Sequence, residues 1–261
     1  VPEGDAVRRT AARLDTALAG QRLHRGELRV PRFATVDLAG MTVTGTEVAG
    51  KHLLTRLIGG PRPLTLHTHL RMDGRWATGA AGPRPVAGPH HQIRAWLVAA
   101  ERQAVGLRLG IVEVLATAAE DRITGRLGPD VLGPAFDPAA AAEQVRVQGH
   151  RPLAEALLDQ QVISGLGTIW TAETAFHAGV SPWTAAADAS ELPEALTCTR
   201  GAMQAGVAAR GRRDRPQPWV YGRTGQPCRR CGTAIRAGRV GRPPTDRVTY
   251  WCPGCQPGPE Q

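Results

Sequence analysis

Cys228-Arg-Arg-Cys231 is followed, twenty residues later, by Cys252-Pro-Gly-Cys255. Two CxxC knuckles on a hairpin bring four thiolates within reach of one tetrahedral zinc ion, and this spacing is that of a four-cysteine zinc site. Two disulfides are the alternative. No basic region followed by an apolar stretch opens the chain, so a cytosolic, reducing setting is expected, and that favours zinc. Cys198 is left over and reads as a buried, inert thiol on a helix. Between the knuckles, Arg236, Arg239, Arg242 and Arg247 stud the hairpin. A small zinc ribbon with arginines at its tip suits a DNA backbone or minor groove. A merely solvated basic hairpin is the plainer alternative.

Charge along the chain favours the first of these. Residues 206–261 hold eleven arginines against Asp214, Asp246 and Glu260, a net of +8, whereas the whole chain carries +9. A basic excess gathered at one end points to a polyanionic partner. The 261 residues are 42% hydrophobic and 21% charged, enough for a full core and unlike a disordered tail. No apolar run approaches the ~18 residues of a membrane span. A single lysine, Lys51, stands among 31 arginines, and there is no asparagine. Lysine can lose its proton and arginine cannot, so Lys51 is a candidate for chemistry, with survival by chance the alternative.

Working toward the N-terminus, periodicity separates three regions. Residues 5–19 read as an amphipathic helix with Asp5 as N-cap and a Val7, Ala11, Leu14, Leu18 stripe. Short strands around 41–49, 51–58, 63–71, 92–99 and 105–115 suggest a sandwich or barrel. In the strand at 63–71, alternation puts Leu64, Leu66 and Leu70 on a greasy face and His67, His69 and Arg71 on a cationic outer one. Helices are expected at 138–147, 152–159, 168–178 and 190–209. Gly165-Leu166-Gly167-Thr168 opens the third of these, where two glycines let backbone amides approach an anion at the positive end of the helix, or simply form a tight turn.

Val1-Pro2-Glu3-Gly4-Asp5 becomes informative if Val1 is a literally translated GTG start codon. An initiator residue before proline is normally removed, which would leave Pro2 with a free secondary amine. Such an amine attacks an aldehyde-like carbon to give an iminium ion, and the adjacent Glu3 is placed to shuttle protons.

In order along the chain, Pro2-Glu3-Gly4, Gly50-Lys51 within a strand, His69-Leu-Arg-Met-Asp-Gly74, Leu127-Gly-Pro-Asp-Val-Leu, Leu157-Leu-Asp-Gln160, Gly165-Leu-Gly167, Val220-Tyr-Gly-Arg223 and the paired CxxC knuckles resemble the formamidopyrimidine-DNA glycosylase/endonuclease VIII family. The resemblance implies an α+β protein: an N-terminal helix plus β-sandwich over 1–130, a helix–two-turn–helix α domain over 131–222, and a four-cysteine zinc-finger β-hairpin over 223–261. It implies a base-excision repair glycosylase with AP lyase activity, acting on damaged, mainly double-stranded DNA. The protein is expected to be a bacterial cytoplasmic, nucleoid-associated monomer with one structural Zn²⁺ and no membrane partner. Pro2 would be the nucleophile at C1′ and Glu3 the proton carrier. Lys51 and Arg247 would act with them on the flanking phosphates. His69, Gly165, Gly167, Thr168 and Arg223 would contact DNA. Arg71, Met72 and Asp73 would fill the hole left by the flipped base, with Met72 as wedge.

Thr168 stands where the family usually has Asn, and Ala6 replaces a family glutamate. Asp73 is expected to pair with Arg71 or Arg75, and Glu173 to orient Pro2. The short, Arg/Pro-rich stretch before Val220 lacks the long loop of the purine-excising branch. Oxidised pyrimidines are therefore the expected substrates, with oxidised purines the alternative; a non-catalytic DNA-binding relative is the rival from another class.

Overall fold

The computed structural model describes residues 2–211 and 213–260; the reading of Val1 as a start codon lies outside them. The chain divides into two compact units, Ala6–Arg126 with Pro2, and Leu127 onward with Glu3–Asp5.

Helix α1 (Gly4–Leu18) belongs to the first unit from Ala6 onward. The expected stripe is its buried face: Val7, Ala11, Leu14 and Leu18 all sit in the core. Asp5 is not the N-cap. The helix starts one residue earlier, and Asp5 lies in its first turn. Strands β1 (Arg25–Leu28), β2 (Thr42–Ala49), β3 (His52–Ile58), β4 (Leu64–His69), β5 (Arg75–Ala80), β6 (Ile93–Val98), β7 (Arg102–Leu107) and β8 (Ile111–Ala116) follow, then the short helix α2 (Asp121–Thr124). They form two antiparallel four-stranded sheets, ordered β2-β3-β4-β8 and β1-β6-β7-β5. One apolar cluster joins Val43, Leu53, Leu57 and Leu66 of the first sheet to Leu28, Ala95, Leu97 and Ala104 of the second. That is a sandwich with α1 packed into its core.

The sequence reading merges β7 and β8 into one strand at 105–115. The chain breaks at Arg108, whose φ of +47° no strand tolerates. Strands β1 and β5 escaped the reading because one is four residues long and the other carries Gly79 in place of an alternating side chain.

The second unit packs α3 (Pro138–Arg146), α4 (Leu153–Leu158), α5 (Thr168–His177) and α6 (Leu192–Ala208), followed by a hairpin of β9 (Arg236–Val240) and β10 (Arg247–Trp251). Asp137 caps α3 by accepting the amides of Ala139 and Ala140. Leu153, Leu157, Ile163, Leu166, Leu196 and Met203 form the helical core. A second cluster joins Ala172 and Phe176 of α5 to Val220, Cys228, Ile235 and Cys252, so the hairpin shares a core with the helices. Cys198 is exposed, not buried. The buried stripe of α6 runs through Leu192, Ala195, Leu196, Thr199 and Met203, and position 198 lies off it. Among the described residues, no helix is long and apolar enough to cross a membrane.

Candidate functional site

In the second unit, the anion expected at the start of α5 is one of the protein's own carboxylates. Glu3 is 1% exposed. It accepts the amides of Gly167 (2.9 Å), Ile169 (2.7 Å) and Trp170 (3.1 Å), which are donors that the first turn of a helix leaves without partners. The neighbours of Glu3 tighten the attachment. Gly4 donates its amide to the Gly165 carbonyl at 2.9 Å, and Asp5 accepts the Trp170 indole N–H at 3.2 Å. Gly167 is required by close approach, since a Cβ there would stand 2.5 Å from the Glu3 carboxyl carbon. The amides of the two glycines are thus already engaged, Gly165 by the Gln160 side chain and Gly167 by Glu3. Of the segment expected to hold DNA, Thr168 stands at the first helical position with its side chain partly exposed.

In the first unit, Pro2 is half-buried just ahead of α1. Lys51 does not sit within a strand. The pairing of Ala49 with His52 closes a two-residue turn of Gly50 and Lys51, and Gly50 takes the positive φ of 57°. Register places His52 opposite His69, and Leu54 opposite His67. His52 Nδ1 and His67 Nε2 are 2.8 Å apart, the rings of His52 and His69 meet edge-on at 4.9 Å, and Glu113 stands 3.6 Å from His67 Nδ1. The two histidines of the face expected to be cationic therefore join His52 in an imidazole cluster whose burial favours the neutral form, while Arg71 stays exposed. Burial, then the charges of His67, Arg71 and Lys51, push His52 down to about 4. Burial, then His52, Arg71, Lys51 and His67, push His69 down to about 3. Burial also lowers His67, against the pull of Glu113. The strand's polar side is covered, with Thr65 bonding to Thr117 and Glu120 of the segment that follows β8.

Beyond His69 the chain turns back through Arg71, Met72 and Asp73. All three are exposed, and Met72 retains 64% of its surface. Asp73 pairs with neither Arg71 nor Arg75 among the described residues. His52 and Glu113 were missed as parts of this region. The histidine immediately after Lys51 was the available signal.

Glu173 does not answer to its expected role of orienting Pro2. It is 2% exposed and accepts the amides of Trp219 (2.7 Å), Val220 (3.0 Å) and Tyr221 (2.9 Å), anchoring that loop to α5. Burial pushes its carboxyl up, opposed by those amides and by Arg229. Arg223, expected on DNA, is turned onto its own loop, where it donates to the carbonyls of Trp219 and Pro227 and to Gln226.

The Sγ atoms of Cys228, Cys231, Cys252 and Cys255 all lie within 4.8 Å of one another, a group able to hold a metal ion. Their closest spacings, 3.4 Å for Cys231–Cys252 and 3.9 Å for Cys228–Cys255, are far beyond the ~2.05 Å of a disulfide. A hydrogen bond from Thr233 lowers Cys231 to about 6, whereas burial and the neighbouring sulfurs push Cys255 up to about 12. On the adjoining hairpin, Arg236 pairs with Glu260 and Arg239 with Asp246. Arg247 holds the carbonyls of Thr245 and Asp246 through Nη1 alone.

Comparison with known proteins places these features in one lineage. Residues 1–108 match the formamidopyrimidine-DNA glycosylase N-terminal domain, and residues 127–212 match the formamidopyrimidine-DNA glycosylase H2TH domain. The chain is 47% identical to a probable endonuclease 8 2 of Streptomyces coelicolor, over 99% of this chain and 95% of that one. It is 42% identical to the DNA-(apurinic or apyrimidinic site) lyase Nei2 of Mycolicibacterium smegmatis, over 98% and 99%. The fold superposes on Lactococcus lactis Fpg, solved in complex with abasic-site DNA, with a TM-score of 0.80 at 23% identity, covering 98% of this chain and 100% of that one.

Proposed function

The chain belongs to the formamidopyrimidine-DNA glycosylase/endonuclease VIII family, and from that premise we propose that it excises oxidised bases from DNA and then cleaves the abasic strand through a Schiff base at Pro2. The observation that carries this reading is the binding of Glu3-Gly4-Asp5 onto the start of α5. Five hydrogen bonds fix the residues directly after Pro2, and a nucleophile on a short tether to a rigid element is what covalent catalysis needs.

With Pro2 as the first residue, its unprotonated secondary amine attacks C1′ of the damaged nucleoside. The base departs with the glycosidic electron pair and takes up a proton, and opening of the sugar ring leaves an iminium ion joining Pro2 to the strand. Loss of a C2′ proton expels the 3′ phosphate by β-elimination, and δ-elimination then expels the 5′ phosphate. Water releases the sugar fragment and restores the amine. Glu3 is the group closest in sequence to these proton transfers. Its oxygens already hold three amides, so it serves the sugar while remaining the anchor of α5. Lys51, on its tight turn, and Arg247, which bonds its own backbone through Nη1 alone, are the proposed phosphate contacts. Met72 is the wedge that replaces the extruded base in the stack.

The four cysteines fit zinc. Sulfurs about 2.3 Å from a central zinc lie about 3.8 Å apart along each tetrahedral edge; two of the spacings here are 3.4 and 3.9 Å, and all lie within 4.8 Å. Cys228, Cys231, Cys252 and Cys255 would hold it as a closed four-thiolate site, ordering the hairpin and leaving no open place for a catalytic water.

Oxidised pyrimidines are the proposed lesions. Only eleven residues, 209–219, separate α6 from Val220, too few for a long loop over a flipped purine. Excision assays on duplexes bearing thymine glycol, 5-hydroxycytosine or 8-oxoguanine, with products resolved by mass, test this. The pyrimidine lesions are expected to be cleaved fastest; preference for 8-oxoguanine opposite cytosine overturns it.

A further inference from the structure

The proposed wedge rests on an uncommon backbone. Arg71, a non-glycine residue, has φ of +52°, in the left-handed region that L side chains avoid. Three features hold it there. The Arg71 amide donates to His69 Nδ1 at 2.9 Å. The Gly74 amide donates to the Leu70 carbonyl at 2.9 Å, closing the turn. Gly110 leaves room for the arginine stem, because a Cβ there would lie 2.1 Å from Arg71 Cγ. We infer that His69 is a positioning residue, whose Nδ1 fixes the left-handed turn at Arg71 and thereby aims Met72 into the DNA stack.

The ring is prepared for that task. His52 meets it edge-on, and His52 is itself held by His67, so the imidazole orientation is set from within the sheet. A nitrogen that accepts an N–H carries no proton, so the ring hydrogen of His69 sits on Nε2. Nδ1 shapes the turn while Nε2 remains a donor, which gives the DNA contact expected for His69 a defined tautomer. Burial and the surrounding cations keep the ring neutral, as this requires.

The inference rests on Met72 acting as the wedge, and two substitutions separate it from that reading. Asparagine places its carbonyl oxygen where Nδ1 stands, whereas glutamine places its amide nitrogen near Nε2. Duplexes with a tetrahydrofuran abasic analogue opposite 2-aminopurine report wedge insertion by fluorescence. At saturating protein, where loss of the Nε2 contact lowers affinity but not amplitude, His69→Asn is expected to keep most of the wild-type signal amplitude. His69→Gln is expected to weaken it, the equilibrium constant for the ordered turn falling about tenfold for the loss of its acceptor. Met72→Ala is expected to abolish the signal in either background. If Met72→Ala leaves the signal intact, the wedge reading fails and takes the inference with it. If Met72→Ala abolishes the signal yet His69→Gln performs as well as His69→Asn, the inference alone is overturned. Nitrogen-15 NMR of the unsubstituted free protein is the second measurement. A His69 ring protonated at Nε2 is expected, and the Nδ1-protonated tautomer overturns the inference even if the variants do not fold.

Discussion

Replacing Glu3 with glutamine tests whether this residue anchors the fold as well as serving the chemistry. The carboxylate takes Gly167 and Trp170 on Oε2 and Ile169 on Oε1, at 2.9, 3.1 and 2.7 Å. Glutamine offers one acceptor oxygen. With its carbonyl in the Oε2 place it keeps two amides and points its own NH₂ at the third, donor against donor. Losing one charge-assisted bond to a buried amide costs about 2 kcal/mol, and losing the negative charge at the helix start costs about 0.5–1 kcal/mol more. At roughly 2–4 °C per kcal/mol for a chain of this size, Glu3→Gln is expected to lower Tm by about 6–12 °C in scanning calorimetry. Gly167→Ala leaves the carboxylate chemistry intact but crowds its carbon at 2.5 Å, and should lower Tm in the same direction. A Glu3→Gln protein melting within about 2 °C of wild type would refute the reasoning, since an anchor worth about 3 kcal/mol cannot be lost silently. The loss of base excision expected in Glu3→Gln is then interpretable, because Gly167→Ala shows how much of it follows from the anchor alone.

Zinc removal by a chelator with a thiol reagent should release one ion per chain and shift the fluorescence of Trp183 and Trp251, whose rings meet edge-on at 4.7 Å beside the hairpin. Protein isolated without chelator and free of metal would contradict the zinc site. Acid should destabilise the fold through the histidine cluster. The folded-state values of His52 and His69, about 4 and about 3, lie below 6.5, so stability is unaffected above that pH and is lost as pH falls from 6.5 toward them. Each is expected to cost about 1–2 kcal/mol at pH 5, read from urea unfolding at pH 7.5 and 5.0; equal midpoints would contradict the neutral cluster. Arg247→Ala should weaken binding to all duplexes alike and reduce the slope of log K against log salt by about 0.9, with zinc retained. An unchanged slope would remove Arg247 from the phosphate contacts.

Local regularities were legible in the sequence, and long-range ones were not. The Val7, Ala11, Leu14, Leu18 stripe and the CxxC pairs are spacings, and both kept their meaning in three dimensions. The partner of the α5 start was invisible, because the anion comes from a residue 164 positions away in the chain. Alternation assigned His67 to the correct side of β4, but nothing local says that the 117–124 segment folds over that side. His67, read as part of a cationic outer face, is therefore buried, and burial lowers its pKa. Glu173 and Arg223 show a related limit. Charged residues near a family site read as functional, while their geometry assigns them to fixing the 219–227 loop. Lys51 was singled out by composition alone, and the resemblance marked the same position. Its place on a two-residue turn, where Gly50 supplies the positive φ, comes from the structure.

The central claim is covalent chemistry at Pro2. Borohydride reduction during incubation with abasic-site DNA, on protein whose intact mass shows Pro2 as its first residue, tests it most directly. The account predicts a stable protein–DNA adduct whose peptide map places the strand on Pro2, and its loss in Pro2→Gly. No adduct from protein beginning at Pro2, or an adduct mapped to Lys51, would contradict it.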